Sequence, residues 1–164
     1  MILGVVGTHG QPMTRLVGTL DEFARDHPDE QVRIQAGPAA HLVSHAQGVD
    51  YVGSGTLQDW AEAAAVVVTH GGPSLLLGLV DAGRTPIVMP RERRFGEHVD
   101  DHQVEFADFL ATRGLVIVVR SPTELRQILE QPPMPVRETA RDPLPPAQPD
   151  AASDTIKRLI DDLG

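Results

Sequence analysis

Short apolar runs alternate with helix-like stretches along most of the chain, and this alternation constrains the fold more than any other feature. MILGVVG (1 to 7), VRIQAG (32 to 37), AVVV (65 to 68), TPIVMP (85 to 90) and LVIVV (115 to 119) read as buried strands, and DYVGSG (50 to 55) as a shorter one. Between them, apolar residues at 13, 16, 17, 20 and 23 have the spacing of a helix with one buried face. TLQDWAEAA reads as a short helix with Thr56 as its cap and Asp59 three residues on. Pro73 to Ala82 reads as a helix stopped by Gly83, and Val99 to Arg113 as one stopped by Gly114. SPTELRQILEQ offers Ser121 as N-cap, Pro122 at the first helical position and Glu124 at the third. The β-branched run AVVV suits a strand covered on both faces. Strands alternating with helices imply right-handed crossovers, hence a Rossmann-like α/β fold with a mostly parallel sheet and helices on both faces.

The remainder divides the chain. Residues 1 to 131 form the expected domain, and residues 132 to 152 a proline-rich linker, seven of the 14 prolines falling between 132 and 149. Residues 153 to 163 form an amphipathic helix with Ser153 as cap and Ile156, Leu159, Ile160 and Leu163 on one face, docking on this domain or on a partner. The formal charge of -9 argues against nucleic-acid or anionic-lipid binding by net charge. With no cysteine, disulfides and thiolate metal sites are excluded. No basic-then-apolar leader is seen, and no apolar run approaches membrane-span length, so a cytoplasmic location with no direct membrane span is expected.

In parallel sheets ligands bind outside the carboxyl ends of the strands. That rule gathers GTHG, GSGT, THGGPS and PRERRFGEHVDDHQ on one edge. Gly71 and Gly72 remove side chains where strand turns to helix, and Pro73 gives up an N–H that a helix start leaves unpaired. The exposed N–H groups and helix dipole suit an anion such as a diphosphate, with Ser74 as an added donor. His70 can equally be a residue whose ring holds the loop. Arg91, Arg93 and Arg94 form a solvated loop or a phosphate site. His98 and His102, four apart, would share a helix face and could bind a metal, while the acids beside them are explained equally by a helix N-terminus. Glu97 or Asp101 could serve as general base.

Taken together and in order, MILGVVGTHGQPMTRLV, HAQGVDYVG, WAEAAAVVVTHGGPS, AGRTPIVMPR and GEHVDDHQVEFADFL resemble the C-terminal, donor-binding domain of family 28 glycosyltransferases, one half of a GT-B fold. The resemblance spans residues 1 to 130 and is strongest to the small standalone subunit of two-part N-acetylglucosaminyltransferases and bacterial exopolysaccharide relatives. It implies a sugar-nucleotide donor, UDP-GlcNAc-like, with its diphosphate at the helix start formed by His70, Gly71, Gly72, Pro73 and Ser74. It places Asp101 and Gln103 at the sugar hydroxyls, and Gly7, Thr8 and His9 at the reaction centre or the partner. Arg91, Glu97 and His98 complete the expected substrate-binding set, with His9 the candidate general base. The resemblance implies no cofactor and no metal, the leaving diphosphate being neutralised by helix N-termini and side-chain donors. It also implies a separate acceptor-binding subunit, membrane-associated because the usual acceptors are lipid-linked. Polysaccharide is the other acceptor class, and the partner would hold this chain at the inner membrane face.

One departure stands out. Relatives carry an acidic ribose ligand eight positions past the histidine, where this chain has Gly78, and often a hydroxyl residue where it has Leu75. The alternative reading is therefore a non-catalytic binding or assembly module that has lost the nucleotide. A third reading, an epimerase sharing the fold, conflicts with having one such domain, because those enzymes need two in one chain.

Overall fold

The computed structural model describes residues 1–132. The linker beyond Pro132 and the helix expected at 153 to 163 lie outside the described residues. Six strands form one sheet in the order β3-β2-β1-β4-β5-β6, and every neighbouring pair is parallel. They are β1 (Ile2–Val5), β2 (Val32–Gln35), β3 (Gln47–Val49), β4 (Val66–Thr69), β5 (Ile87–Val88) and β6 (Ile117–Val118). The helices between them are α1 (Thr14–Asp26), α2 (Ser54–Ala63), α3 (Pro73–Asp81), α4 (His102–Thr112) and α5 (Pro122–Glu130). Central β1 pairs on both sides, Ile2 opposite Val32 and Val66, and Val5 opposite Gln35 and Thr69. The chain reverses its direction of travel across the sheet between β1 and β4, which sets a crevice at their carboxyl ends.

The strands are covered on both faces, so both sets of alternating side chains are apolar. Ile2, Val6, Ile34, Val68, Ile87 and Met89 pack with Leu16, Val17, Leu20 and Phe23 of α1 and with Leu125 and Leu129 of α5. On the other face Leu3, Val5 and Val67 meet Ala61 and Leu79, while Val88 and Val116 meet Leu76, Phe106 and Leu110. Helices α2, α3 and α4 thus lie opposite α1 and α5. Leu16 and Leu20 are wholly buried, each worth about 1.5–3 kcal/mol relative to exposure. The segment leading into β3 is fixed to α1 by a polar device: buried Asp21 accepts backbone N–H bonds from Ser44, His45 and Ala46 at 2.8–2.9 Å.

Three expectations shift. The third strand is Gln47–Val49, not 50 to 55, because β2 leaves the sheet at Gly37 (φ 52) after Ala36 and Gly37 donate to the carbonyls of Val49 and Asp50. Residues 51 to 53 then have no strand to pair with. Helix α2 begins at Ser54 with Gly53 as its cap, rather than with Thr56. Helix α4 begins at His102 rather than Val99, because side-chain bonds hold the preceding turn: Arg93 N donates to Asp101 Oδ1 (2.8 Å) and His102 N to Asp100 Oδ1 (3.2 Å). An unforeseen 3-10 turn covers Gly37–Leu42.

Candidate functional site

The glycines after β4 have two different causes. Gly71 has φ 94, a left-handed conformation that side chains resist. Gly72 has an ordinary φ of -64. It is glycine because a Cβ there would lie 2.5 Å from Nε2 of His70, and a Cβ on Gly7 would lie 2.6 Å from the same atom. The His70 ring is thus wedged between the turn after β1 and the start of α3. Its Nδ1 lies 3.3 Å from the carbonyl of Val5, which can only accept, so Nδ1 carries the proton. Burial, reinforced by the nearby Arg91 charge, lowers the His70 pKa to about 4. It is a neutral, structural ring at neutral pH.

Pro73 opens α3 with Gly72 as its cap, and Ser74 is exposed on its first turn. The helix start therefore faces the carboxyl edge with backbone donors that no side chain caps. Beside it lies Gln103, the second residue of α4. Gln103 is 5% exposed, its Cβ lies 3.6 Å from where a Cβ on Gly71 would be, and its Oε1 has no partner among the described residues. A buried amide oxygen without a partner costs free energy unless something polar reaches it.

The long loop after β5 separates its three arginines. Arg93 and Arg94 are exposed, but Arg91 is fully buried. Its guanidinium donates to the carbonyls of Val6 (2.8 Å), Gln11 (2.8 Å) and Glu97 (3.0 Å). Burial lowers its pKa, with the neighbouring Glu97 charge opposing that shift. Glu97, 2% exposed, is held by a bidentate pair with Arg15 of α1, both bonds 2.8 Å, and accepts the Glu92 N–H at 3.1 Å. Arg15 also donates to the carbonyls of Pro90 (2.8 Å) and Arg120 (3.0 Å). Arg91 and Glu97 therefore bind the loops to one another, both terminal guanidinium nitrogens of Arg91 and both carboxylate oxygens of Glu97 being engaged by the protein, while Arg91 Nε has no partner among the described residues.

His9, His98 and His102 form a row of rings, with centroids 4.5 Å and 4.7 Å apart. Desolvation first, then the neighbouring His98, Arg91 and His102, holds the His9 pKa below the ordinary histidine value. Asp100 joins the row: its Oδ1 lies 3.2 Å from Nδ1 of His98 and pairs closely with Nδ1 of His102. Thr8 is exposed nearby in sequence, and Asp101, also exposed, is committed through Oδ1 to the Arg93 N–H.

Of the residues singled out from the sequence, the fold brings together Gly7, His70, Gly71, Gly72 and Gln103, and separately His9 and His98. Two organising residues escaped the sequence reading. Arg15 lies on a helix whose pattern announces only its apolar face. Gln35 is buried at the end of β2, accepts from the Gly7 N–H (3.0 Å), and donates to the carbonyls of Gly7 (3.0 Å) and Asp50 (2.8 Å). Strand alternation groups Gln35 with the half-exposed Arg33 rather than with Val32 and Ile34, so the sequence carried no signal for its burial.

A 3-2-1-4-5-6 parallel sheet with a glycine-rich helix start at its carboxyl edge defines a Rossmann-like domain of the kind that makes one half of a GT-B glycosyltransferase. Residues 1–142 match the family described as Glycosyltransferase family 28 C-terminal domain, and the chain belongs to that family. Among solved structures it is similar to MurG of Acinetobacter baumannii, with a TM-score of 0.54, 17% identity, 77% of this chain covered and 40% of that chain. It is also similar to the glycotransferase of kitacinnamycin, with a TM-score of 0.55, 18% identity, 97% of this chain covered and 39% of that chain. The chain therefore spans about two fifths of the length of these structures. No match was found among curated proteins. No helix among the described residues is long and apolar enough to cross a membrane.

Proposed function

We propose that the chain is the donor-binding half of an inverting glycosyltransferase, taking its sugar from a UDP-GlcNAc-like nucleoside diphosphate-sugar. The acceptor is a lipid-linked or polysaccharide hydroxyl held by a separate, membrane-associated subunit, which keeps this otherwise cytoplasmic chain at the inner membrane face. The domain is residues 1 to 131. The observation that carries this reading is the juxtaposition of Gln103 with the uncapped start of α3. A buried amide oxygen and a set of backbone donors there suit a sugar hydroxyl and a diphosphate.

In this reading the diphosphate lies on the N–H groups after Gly72 and on Ser74, with Gln103 and Asp101 at the sugar. His9, kept neutral at neutral pH, accepts the acceptor's hydroxyl proton. The acceptor oxygen bonds to the anomeric carbon from the opposite face. The bond to the diphosphate breaks, and its electron pair leaves with the phosphate oxygen, stabilised by the helix start. Thr8 and His98 flank the reacting groups, while His70, Arg91, Glu97 and the glycines act by positioning the loops.

Titration calorimetry with UDP, UDP-GlcNAc and GDP tests the donor step. One nucleotide is expected to bind without metal, and Gln103→Leu should weaken the sugar nucleotide about tenfold, one hydrogen bond's worth, while sparing the bare diphosphate. Equal losses for both ligands would remove Gln103 from the sugar site. A second reading, a module without nucleotide, draws on Gly78, exposed on α3 with nothing within 4 Å of a Cβ placed there. No nucleotide binding by the natural chain, with binding gained in Gly78→Glu, would establish that reading instead.

A further inference from the structure

We propose that His98, Asp100 and His102 form a binding site for a divalent transition-metal ion. One imidazole nitrogen from each histidine and one carboxylate oxygen of Asp100 lie within 4.8 Å of one another. Two imidazoles and one carboxylate make a donor set that suits zinc and its borderline neighbours, and a three-ligand site leaves coordination positions open to water or an anionic oxygen.

The local chain explains how three residues spaced by two converge. The turn before α4 is bent by Asp100 Oδ1, which accepts the His102 N–H at 3.2 Å, and the Asp100 N–H points to Nδ1 of His98 at 3.5 Å. Thus the two rings are turned onto one carboxylate before any ion arrives. His98 is further held by the His9 ring at 4.5 Å and is mostly buried, with its side chain 10% exposed. The other two ligands are open to solvent, their side chains 56% and 50% exposed, so an ion has an entry path. Arg91, whose charge reaches His9, donates from its two terminal nitrogens to the carbonyls of Val6, Gln11 and Glu97 and not to Asp100. The other histidine–carboxylate pairs among the described residues, His45 with Asp21 and His27 with Glu130, each have one ring and so lack the third ligand.

The proposal rests on this geometry alone and not on glycosyl transfer, and its test needs no sugar nucleotide. The untagged full chain is titrated with Zn2+ by calorimetry and with Co2+ by visible absorption. The expected result is one ion per chain with a Co2+ ligand-field spectrum. His102→Ala and Asp100→Ala should each weaken binding at least about tenfold, the loss seen on removing even an outer-shell partner. His41→Ala, on the remote 3-10 turn, should bind as the natural chain does, and circular dichroism should show all four proteins folded. Absence of stoichiometric binding, or binding unchanged in both ligand variants, would overturn the site. In that case the His98–Asp100–His102 group is a hydrogen-bonded turn only.

Discussion

At the scale of single residues, His70 shows how one ring can dictate the residues around it. Its ring fills the space between Gly7 and Gly72, and its Nδ1–H is spent on the carbonyl of Val5. Protonation would put a charge into a buried wedge beside Arg91, which is why its pKa falls to about 4 from 6.5. The sign follows directly. Above pH 6.5 the ring is neutral whether folded or unfolded, and its contribution is complete. As the pH falls from 6.5 toward 4, the unfolded chain takes up the proton first, and folded stability is lost. Between pH 7.5 and 5, urea unfolding of the natural chain should lose about 2 kcal/mol more than that of His70→Gln. Equal losses would place the pH dependence elsewhere. The window lies above the carboxylate range, so Asp21 does not enter it. Asp21's desolvation is outweighed by bonds from Ala46, His45 and Ser44, which hold its pKa below 3.8. HGGP was legible as an unusual join. Its reason was not, because the clash that fixes Gly72 involves a ring whose position depends on a strand 65 residues earlier.

At the scale of elements, locally determined features were readable and the others were not. Helix α5 begins as its sequence dictates: Ser121 Oγ accepts the Glu124 N–H at 3.2 Å, and Glu124 reaches back to the Arg120 N–H at 2.7 Å. Everything needed lies within five residues. Strand β3 was misplaced because its end is set by where β2 turns away at Gly37. The start of α4 was misplaced because Asp100 and Asp101, which read as helix-start charges, are used to build the turn before it. Helix α3 carries an unused reserve of stability. Gly78 sits in its exposed interior with an ordinary backbone and open space around a Cβ. Gly78→Ala should therefore stabilise the fold by about 0.5–1 kcal/mol, seen as a higher urea midpoint with unchanged slope. A lower midpoint would mean that the helix needs glycine there for a close approach not evident in its packing.

Across the whole molecule, the parallel α/β architecture was legible because β-branched runs and helical periodicities alternate without interruption. The cross-links that hold its binding edge in shape were not. Arg91, Arg93 and Arg94 look equivalent in sequence, yet Arg91 alone turns inward to reach Val6 and Gln11, 85 and 80 residues earlier. Arg15 makes the complementary reach, from α1 to Glu97. Two loops far apart in sequence are thereby tied together at one edge of the sheet. Arg91→Met removes the donors to the carbonyls of Val6, Gln11 and Glu97, two of these bonds buried, and should cost roughly 2–5 kcal/mol. Hydrogen exchange should rise together at residues 7 to 11 and 97 to 101. Exchange that rises in only one loop would show that they are fixed independently.

The wedge under the helix start also leaves a trace that can be sought in other genomes. Gly7 and Gly71 are glycine for backbone reasons and have nothing to gain from a change at position 70. Gly72 is different, since its φ would accept any residue once the ring is gone. Over evolutionary time positions 70 and 72 should therefore vary as a pair. A lineage that trades the ring for a small side chain becomes free to acquire one two residues later, while a lineage that keeps the ring does not.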